Sequence, residues 1–270
     1  MIHRFWAPAI LLLWGAAAMA GEISLKGEYS QGGLVIGNAP PGSSVTLDGK
    51  SQPVAPDGAF LLGFGRDSAL RRVLEVRLGG TRLFGRELAI KKRTYDVQRI
   101  DGLARRKVTP SPADLKRIKA EAAALRAARA LLSNASFFRS GFVWPVLGRI
   151  SGVYGSLRIL NGKPRRPHYG VDVAAPEGTP VRAAAAGRIA FAHAGMFFNG
   201  KTVIIDHGLG LSTAYLHLSA ITVTSGAAVK KGAMIGRIGK TGRATGAHLH
   251  WGMRLRATPV DPQLLVPAMK

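Results

Sequence analysis

The sequence predicts a mainly β protein in two parts that one helix connects. In the first part, short β-prone runs are separated by Asp-Gly and Gly-Gly turns, and from Phe142 onward strands return that are richer in glycine. Between them lies a stretch whose apolar residues recur at helical spacing. Because 47% of the 270 residues are hydrophobic, the chain can bury more than one core. We therefore expect an N-terminal small β-sandwich, one connecting helix and a C-terminal all-β domain.

Residues 1–20 have the pattern of a secretory signal peptide. Arg4 gives a basic start, residues 7–18 are almost entirely apolar, and Ala18-Met19-Ala20 fits a cleavage site. The apolar run is shorter than the roughly 20 residues that cross a bilayer. We expect export, cleavage after the last of these residues and no transmembrane segment in the mature chain. The alternative is an uncleaved membrane anchor.

Cysteine is absent and the charge is strongly positive. An exported chain without cysteine forms no disulfide, and it has neither a thiol nucleophile nor a cysteine for lipid attachment. The 38 Lys and Arg residues outnumber 15 Asp and Glu residues, which gives a formal net charge of +23. This surplus favours an anionic partner, although a merely solvated basic surface is the alternative. No nucleic-acid-binding motif accompanies the charge, so we expect envelope polymers with carboxylates or phosphates as partners and no nucleic acid.

Residues 21–108 form the predicted N-terminal β-sandwich-like module. Its β-prone runs and turns alternate: runs at 34–36, 44–47, 59–62, 73–76 and 83–84, with turns at Asp48-Gly49, Asp57-Gly58 and Gly79-Gly80. No histidine lies between His3 and His168, and we find no catalytic constellation in this module. We expect it to position or to recognise a partner.

Residues 109–135 form the predicted helical connector. Ser111 is expected at the N-cap, Pro112 at the first helical position and Asp114 at the third. Such a helix is about 30 Å long, enough to bridge two modules, and Ser133-Asn134 would end it. Apolar residues follow at spacings of three or four, and we expect this stripe to pack into a core rather than bind a partner helix: Leu115, Ile118, Ala122, Leu125, Ala128 and Leu132.

Six of the seven histidines lie between His168 and His250, in about a third of the chain. Side chains alternate faces on an extended backbone, so His168 and Asp172 share a face, and so do His248 and His250. Two imidazoles and a carboxylate form the ligand set of a catalytic zinc site, whose fourth position stays open. A lone His-x-His pair is also common on a solvated strand. The spacing alone does not say which histidine of the late pair would bind metal.

Hydrolysis also needs a group that moves protons. The zinc-peptidase motif His-Glu-x-x-His is absent, and the last glutamate is Glu177. The remaining candidates are His217 and whichever of His248 and His250 does not bind metal, because imidazole can act as acid, base or hydrogen-bond donor near neutral pH. Two further histidines get structural or surface roles: His193 and His207.

Residues 155–251 resemble the LytM/lysostaphin-type zinc endopeptidases of peptidoglycan, the M23 family. Three histidine-bearing blocks appear in the family's order, followed by a short C-terminal match: His168-x-x-x-Asp172, Tyr215-x-His217-Leu-Ser, His248-x-His250 and Val260-Asp261-Pro262. The resemblance implies an antiparallel β-sheet M23-type zinc peptidase domain over residues 140–266. It also implies roles for five residues: one zinc ion bound by His168, Asp172 and His250, with His217 and His248 as the catalytic pair.

The resemblance implies an exported, periplasmic zinc endopeptidase that hydrolyses the peptide cross-links of peptidoglycan. Peptidoglycan is then the expected partner, and a regulatory protein is a further candidate. The alternative is a catalytically inactive M23-like activator of a cell-wall amidase; the presence of all five key residues favours the enzyme. Three residues before the first block are candidates for substrate binding, or are exposed loop residues: Asn161, Arg165 and Arg166.

Overall fold

The computed structural model describes residues 23–130 and 133–269. The predicted signal peptide, residues 1–20, lies outside the described residues. Within them the chain forms twenty-one β-strands, two α-helices and two 3-10 helices. The predicted mainly β fold is confirmed. In this part of the chain, no helix combines the length and the apolar character needed to cross a membrane.

Two antiparallel sheets build the predicted N-terminal sandwich. The first has the order β1-β2-β5: β1 Ser24–Gly27, β2 Leu34–Asn38 and β5 Ala59–Gly63. The second has the order β4-β3-β6-β7: β3 Ser44–Leu47, β4 Lys50–Gln52, β6 Arg71–Leu78 and β7 Thr81–Ala89. Side chains from both sheets, such as Phe60 and Leu74, are fully buried in one apolar cluster. The alternating runs therefore bury one face of each sheet.

The Asp-Gly and Gly-Gly pairs form the turns that the sequence predicts. Asp48 and Gly49 both have positive φ, 50° and 71°, as do Gly79 and Gly80, 55° and 83°. Two consecutive positive φ values define the type I′ hairpin turn, whose twist matches that of the flanking strands. The pairs thus fix the β3–β4 and β6–β7 hairpins.

One strand from residues 21–108 joins the C-terminal part. β8 (Val97–Ile100) pairs in parallel with β10 (Leu157–Leu160), which pairs antiparallel with β11 (Lys163–Arg165). The pairing brings Gln98 and Ile100 beside the candidate site described below. No local pattern in the sequence indicated this long-range contact.

Two helices follow β8, where the sequence predicted one. The additional helix, α1 (Arg105–Val108), has four residues, too few for a periodic signal. The predicted helix is α2 (Pro112–Ala130). At its start the Ser111 hydroxyl accepts from the Asp114 backbone N–H at 3.2 Å, and Asp114 accepts from the Ser111 N–H at 3.3 Å. These two bonds form a capping box.

The expectation that the apolar stripe of α2 packs into a core is wrong. Leu115 is 54% exposed, and Ile118 and Leu125 are only half-buried. The helix instead lies on the surface of the C-terminal sheet and is held by polar contacts. Arg117 donates to the Gly195 carbonyl at 2.7 Å, and Glu121 accepts from the Phe197 N–H at 2.8 Å.

The C-terminal part is dominated by an eight-stranded antiparallel sheet. Its order is β18-β14-β15-β16-β20-β12-β9, and β21 pairs with β20. The strands are β9 Arg149–Gly152, β12 Val171–Ala174, β14 Gly187–Met196, β15 Gly200–Gly208, β16 Leu211–Leu218, β18 Ala228–Val229, β20 His248–Leu255 and β21 Thr258–Val260. A smaller sheet, β13-β19-β17, packs against it: β13 Pro180–Arg182, β17 Ala220–Ile221 and β19 Met234–Arg237.

The two parts share an apolar cluster and an ion pair. Leu34 and Leu61 from the N-terminal sheet are buried with Leu255 and other residues of the large sheet. Near this contact, Arg93 binds the buried Asp261 at 2.9 Å. Burial raises the pKa of Asp261, while Arg93 opposes that shift. The two 3-10 helices lie next to the same region: Phe137–Ser140 and Pro262–Leu265.

Candidate metal centre and active site

Adjacent antiparallel strands bring two histidines and one aspartate together. In the pairing of β12 with β20, Asp172 lies opposite His250, and His168 precedes β12. His168 Nε2 is 3.0 Å from Asp172 Oδ1, His250 Nδ1 is 2.9 Å from the same oxygen, and the two nitrogens are 2.8 Å apart. Three potential ligand atoms therefore meet at one point, where they could hold a metal ion.

Neighbouring groups fix the orientation of these ligand atoms. His168 Nδ1 is 3.0 Å from the Val153 carbonyl, to which it donates, so Nε2 keeps its lone pair for a metal. Arg158 binds Asp172 through Oδ2 and leaves Oδ1 on the side of the histidines. The second nitrogen of the same guanidinium, Nε, donates to Gln98 at 3.2 Å. Gln98 of β8 therefore helps to hold Asp172 in place through Arg158.

Two glycines provide the space that the ligands occupy. A Cβ at Gly170 would lie 2.8 Å from His250 Nε2, and a Cβ at Gly152 would lie 2.6 Å from Asp172 Oδ2. Because real Cβ atoms do not approach other heavy atoms this closely, any side chain at either position would displace a ligand or its support. Neither glycine was identified from the sequence as part of a site.

Burial and hydrogen bonding act in opposite directions on Asp172. Burial alone would raise the pKa of this carboxyl group, but the adjacent His168 ring and the hydrogen bond from His250 hold the pKa well below its usual range. The group is therefore ionised at neutral pH. An ionised carboxylate is the form that binds a metal cation.

A second histidine pair lies beside the ligand cluster. The rings of His217 and His248 are 4.8 Å apart between centroids. His217 Nδ1 lies 2.8 Å from the Thr241 carbonyl and His248 Nδ1 lies 2.9 Å from the Gly246 carbonyl, so each Nδ1–H donates to backbone. In the neutral ring the other nitrogen, Nε2, is then an acceptor. His248 Nε2 is 4.0 Å from Asp172 Oδ1.

His217 reaches this position through an unusual backbone conformation. Strand alternation would place His217 on the core side with Tyr215, which is fully buried. His217 instead has φ of 65°, a left-handed conformation that costs a residue other than glycine about 1–3 kcal/mol. Burial, with His248 and His250 nearby, lowers the pKa of His217 to about 3, so the ring is neutral at physiological pH.

The site opens into a cavity of about 260 Å³. Sequence reasoning missed most of its lining, because the residues come from separate segments without a common motif. Arg243 is one of the residues that line the cavity. Burial and the positive charges of Arg158 and Arg165 lower its pKa to about 10. The polar residues that line the cavity besides the site residues are Gln98, Arg149, Ser151, Arg158, Arg243 and Thr245.

The three predicted substrate-binding residues do not line this cavity. Asn161 exchanges hydrogen bonds with the backbone of Leu103, at 3.2 and 2.7 Å. Arg165 donates to the Val108 carbonyl at 2.6 Å. Arg166 lines a different cavity, under α2. The structure therefore brings together the five predicted metal and catalytic residues, whereas these three are not among the residues that line their cavity.

Two other histidines of the described residues lie apart from the site. His193 is half-buried on β14, where it accepts from the Gly195 N–H at 3.0 Å. His207 is completely buried, with Nδ1 2.7 Å from the Ala186 carbonyl and Nε2 2.7 Å from the Thr213 hydroxyl. Burial lowers the pKa of His207 to about 4.

His207 is expected to make stability depend on pH. Its folded pKa of about 4 lies below the roughly 6.5 of an unfolded histidine, so between these values only the unfolded chain takes up the proton. The free energy of unfolding should therefore fall as pH drops from about 6.5 to 4, by about 3 kcal/mol from this residue. Urea unfolding at several pH values measures the slope. In His207→Gln it should be shallower by about 1.4 kcal/mol per pH unit; an unchanged slope would refute the assignment.

The fold and the site define a mainly β protein with a candidate mononuclear metal centre in an open cavity. Residues 166–262 match the family described as Peptidase family M23. A crystal structure of a Pseudomonas aeruginosa protein described as an M23 peptidase superimposes with a TM-score of 0.67 and 31% identity. The alignment covers 88% of this chain and 95% of that one. The chain belongs to peptidase family M23, as the sequence predicted.

Two curated relatives match the C-terminal part alone. The DD-carboxypeptidase/endopeptidase Mpg of Neisseria meningitidis is 48% identical over 98 residues, which are 36% of this chain and 22% of Mpg. The peptidoglycan DD-endopeptidase ShyA of Vibrio cholerae is 43% identical over 95 residues, which are 35% of this chain and 22% of ShyA. The chain thus matches about a fifth of the length of these relatives.

Proposed function

We propose that the protein is an exported, zinc-dependent endopeptidase that hydrolyses the peptide cross-links of peptidoglycan. The observation that carries this proposal is the approach of the His168, Asp172 and His250 ligand atoms to within 2.8–3.0 Å of one another, beside His217 and His248. Family membership supports peptidase chemistry, and the names of the relatives Mpg and ShyA support a peptidoglycan substrate.

The residues present fit a zinc ion. Imidazole nitrogen and carboxylate oxygen are zinc ligands, and ligands about 2.0–2.1 Å from a tetrahedral zinc ion are about 3.3 Å apart. The observed separations of 2.8–3.0 Å need only a small expansion to reach this value. Asp172 also lines the open cavity, so a metal ion held by these three residues would be reached by water or substrate from the cavity. A three-ligand site with an open position is the catalytic type.

Zinc, when bound, would supply the Lewis acidity that activates water and polarises a carbonyl. The chain's own residues move the proton. Because the Nδ1–H groups of His217 and His248 are committed to backbone carbonyls, their Nε2 atoms accept while the rings are neutral. An Nε2 that takes the proton of the attacking water becomes a donor, and it can then stabilise the oxyanion or protonate the leaving nitrogen.

His217 is neutral before the reaction begins. Burial lowers its pKa to about 3, so at neutral pH its ring carries no proton on Nε2. His248 is more accessible and lines the cavity, so it lies on the side from which a peptide enters. Both histidines therefore transfer protons, and His248 is the more exposed of the two.

The amidase-activator alternative has less support. A protein that has lost catalysis has no need to keep five residues in a juxtaposed ligand cluster and proton-transfer pair. We place the protein in the periplasm on the strength of the signal-peptide pattern in residues 1–20, which lie outside the described residues. A regulatory protein partner stays a prediction from the family resemblance.

Digestion of purified sacculi tests the proposal. The zinc-loaded protein is expected to release soluble fragments, a chelator should abolish the release, and added zinc should restore it. The amount of soluble peptidoglycan released per hour is the measurement. If the protein has bound one zinc ion and still releases nothing, but stimulates a cell-wall amidase, the activator alternative is correct.

A further inference from the structure

Five arginines line one cavity away from the candidate active site. This arginine pocket, of about 540 Å³, lies between α2 and the end of β20. Alanine and leucine side chains complete its wall. The five residues are Arg126 and Arg129 from α2, Arg254 and Arg256 from β20 and the turn that follows, and Arg166 from the segment before β12.

Among the residues that the structure describes, no carboxylate forms an ion pair with any of the five. Arg254 donates to the Ala257 carbonyl at 2.7 Å, and Arg256 donates to the Gln52 side chain. Arg129 Nε and one Nη of Arg256 are buried and have no hydrogen-bond partner among residues 23–130 and 133–269. A buried donor without an acceptor costs free energy, and more so when it is charged. The pocket therefore lacks acceptors that its donors require.

The pKa shifts of the pocket arginines also indicate that these positive charges have no counter-charge nearby. Burial lowers the pKa of Arg129 to about 10, and the positive charge of Arg254 adds to the shift. Burial also lowers the pKa of Arg254, and the positive charge of Arg166 lowers it further. Like charges held close together without a counter-charge destabilise the fold, and a bound anion would remove that cost.

The pocket lies on the same sheet face as the metal centre. His248, His250 and Arg254 are separated by even numbers of residues on β20, whereas Leu249 and Trp251 between them are buried in the core. Arg254 follows His250 by four residues, a separation of about 13 Å along the strand. A polymer lying across this face could reach both places.

We propose that the arginine pocket binds an oxyanionic group, a pair of carboxylates or a phosphate, on an envelope polymer such as the one that the candidate active site cleaves. The planar guanidinium group presents two parallel N–H donors that match the oxygens of either group. The link to the cleaved polymer rests on the proposed function, whereas anion binding itself does not. Stem peptides supply carboxylates, and other envelope polymers supply phosphates.

Calorimetric titration tests anion binding without catalysis. The probes are inorganic pyrophosphate, a stem peptide with free carboxylates and the same peptide as its carboxamide, added to the full-length His217→Ala protein. We expect saturable binding of pyrophosphate and of the free peptide but not of the carboxamide. Pyrophosphate binding alone would assign the pocket to phosphate groups. The absence of saturable binding of both anions at millimolar concentration would overturn the proposal.

Three variants locate the binding. Arg129→Gln and Arg254→Gln should each weaken binding by at least about tenfold, while Lys119→Gln, which removes a charge from the exposed face of α2, should change it less than about twofold. Equal weakening in all three would show non-specific attraction and overturn the proposal. Without anion, the two pocket variants should melt no lower than the parent protein, because each removes a repelling charge, and both should lose the rise in melting temperature that pyrophosphate gives.

The outcome separates this proposal from the proposed function. If pyrophosphate binds in the pocket but the zinc-loaded protein releases nothing from sacculi, the anion site stands and the peptidase assignment fails. If sacculi are digested but pyrophosphate and the free peptide do not bind, the arginine pocket is no ligand site. If the protein both binds the anions and digests sacculi, Arg254→Gln should raise KM for the peptide and leave kcat within about twofold.

Discussion

Replacing His217 with alanine is expected to leave zinc binding intact and to lower the hydrolysis of peptidoglycan by about 10²–10⁴-fold. The zinc ligands we assign are His168, Asp172 and His250, and the ring of His217 is 6.3 Å from that of His250. The substitution therefore removes a proton acceptor without removing a ligand. Zinc content by elemental analysis and the rate of release of soluble peptidoglycan measure the two effects separately.

A matched histidine provides the control for this experiment. His193 is half-buried on β14 and lines a separate cavity, so His193→Ala should keep both zinc and activity. The account is contradicted if His217→Ala loses its zinc, because the residue would then be a ligand. Full activity in His217→Ala would be equally damaging, since it would leave proton transfer to some other group.

Substitution of Asp172 by asparagine is expected to cause the largest loss of zinc affinity. The carboxylate contributes the charged ligand atom, Oδ1, which lies within 3.0 Å of His168 Nε2 and His250 Nδ1. Arg158→Gln removes a contact to the other oxygen, Oδ2, and should weaken zinc binding by only about 10–100-fold, as for other groups that orient a metal ligand. Competition with a chromophoric chelator measures both affinities.

The two variants should also differ in how much activity excess zinc restores. Excess zinc should restore most peptidoglycan hydrolysis to Arg158→Gln, because all three ligands are still present, but little to Asp172→Asn. Equal zinc affinities in the two variants would show that Oδ1 is not the atom that binds the metal. An unchanged affinity in Arg158→Gln would show that the arginine contact does not orient the carboxylate.

Four of the five candidate site residues could be predicted from the sequence because their spacing is local, whereas His217 was assigned through the family resemblance. His168 and Asp172 are four residues apart and His248 and His250 are two apart, so strand alternation alone places each pair on one face. What brings the pairs together is the register of β12 with β20, in which Asp172 lies opposite His250. That register is a long-range property, and only the resemblance to a known family indicated it.

Features that depend on tertiary contacts could not be predicted. The left-handed backbone that turns His217 toward the site is one of them, because histidine does not indicate this conformation in a sequence. Gln98 reaches the site because β8 pairs in parallel with β10, across almost sixty residues of chain. The burial of α2 was overestimated because its apolar spacing specifies a face but not what covers that face.

The surplus of positive charge in the sequence did not indicate where an anionic partner would bind. A formal charge of +23 predicts an anionic partner but no location. The fold gathers Arg126, Arg129, Arg166, Arg254 and Arg256 from three segments into one cavity. Arg166 was predicted to bind substrate near the first histidine block, and the structure places it in this second cavity instead.

Mass spectrometry of the fragments released from sacculi tests the central claim most directly. The claim predicts that the zinc-loaded protein releases glycan strands whose stem peptides are no longer cross-linked, with one water molecule gained for each peptide bond cut, and that His217→Ala with zinc bound releases at least about 10²-fold less. Fragments cut between glycan and peptide, or release only after an amidase is added, would contradict the assignment of the protein as a zinc endopeptidase.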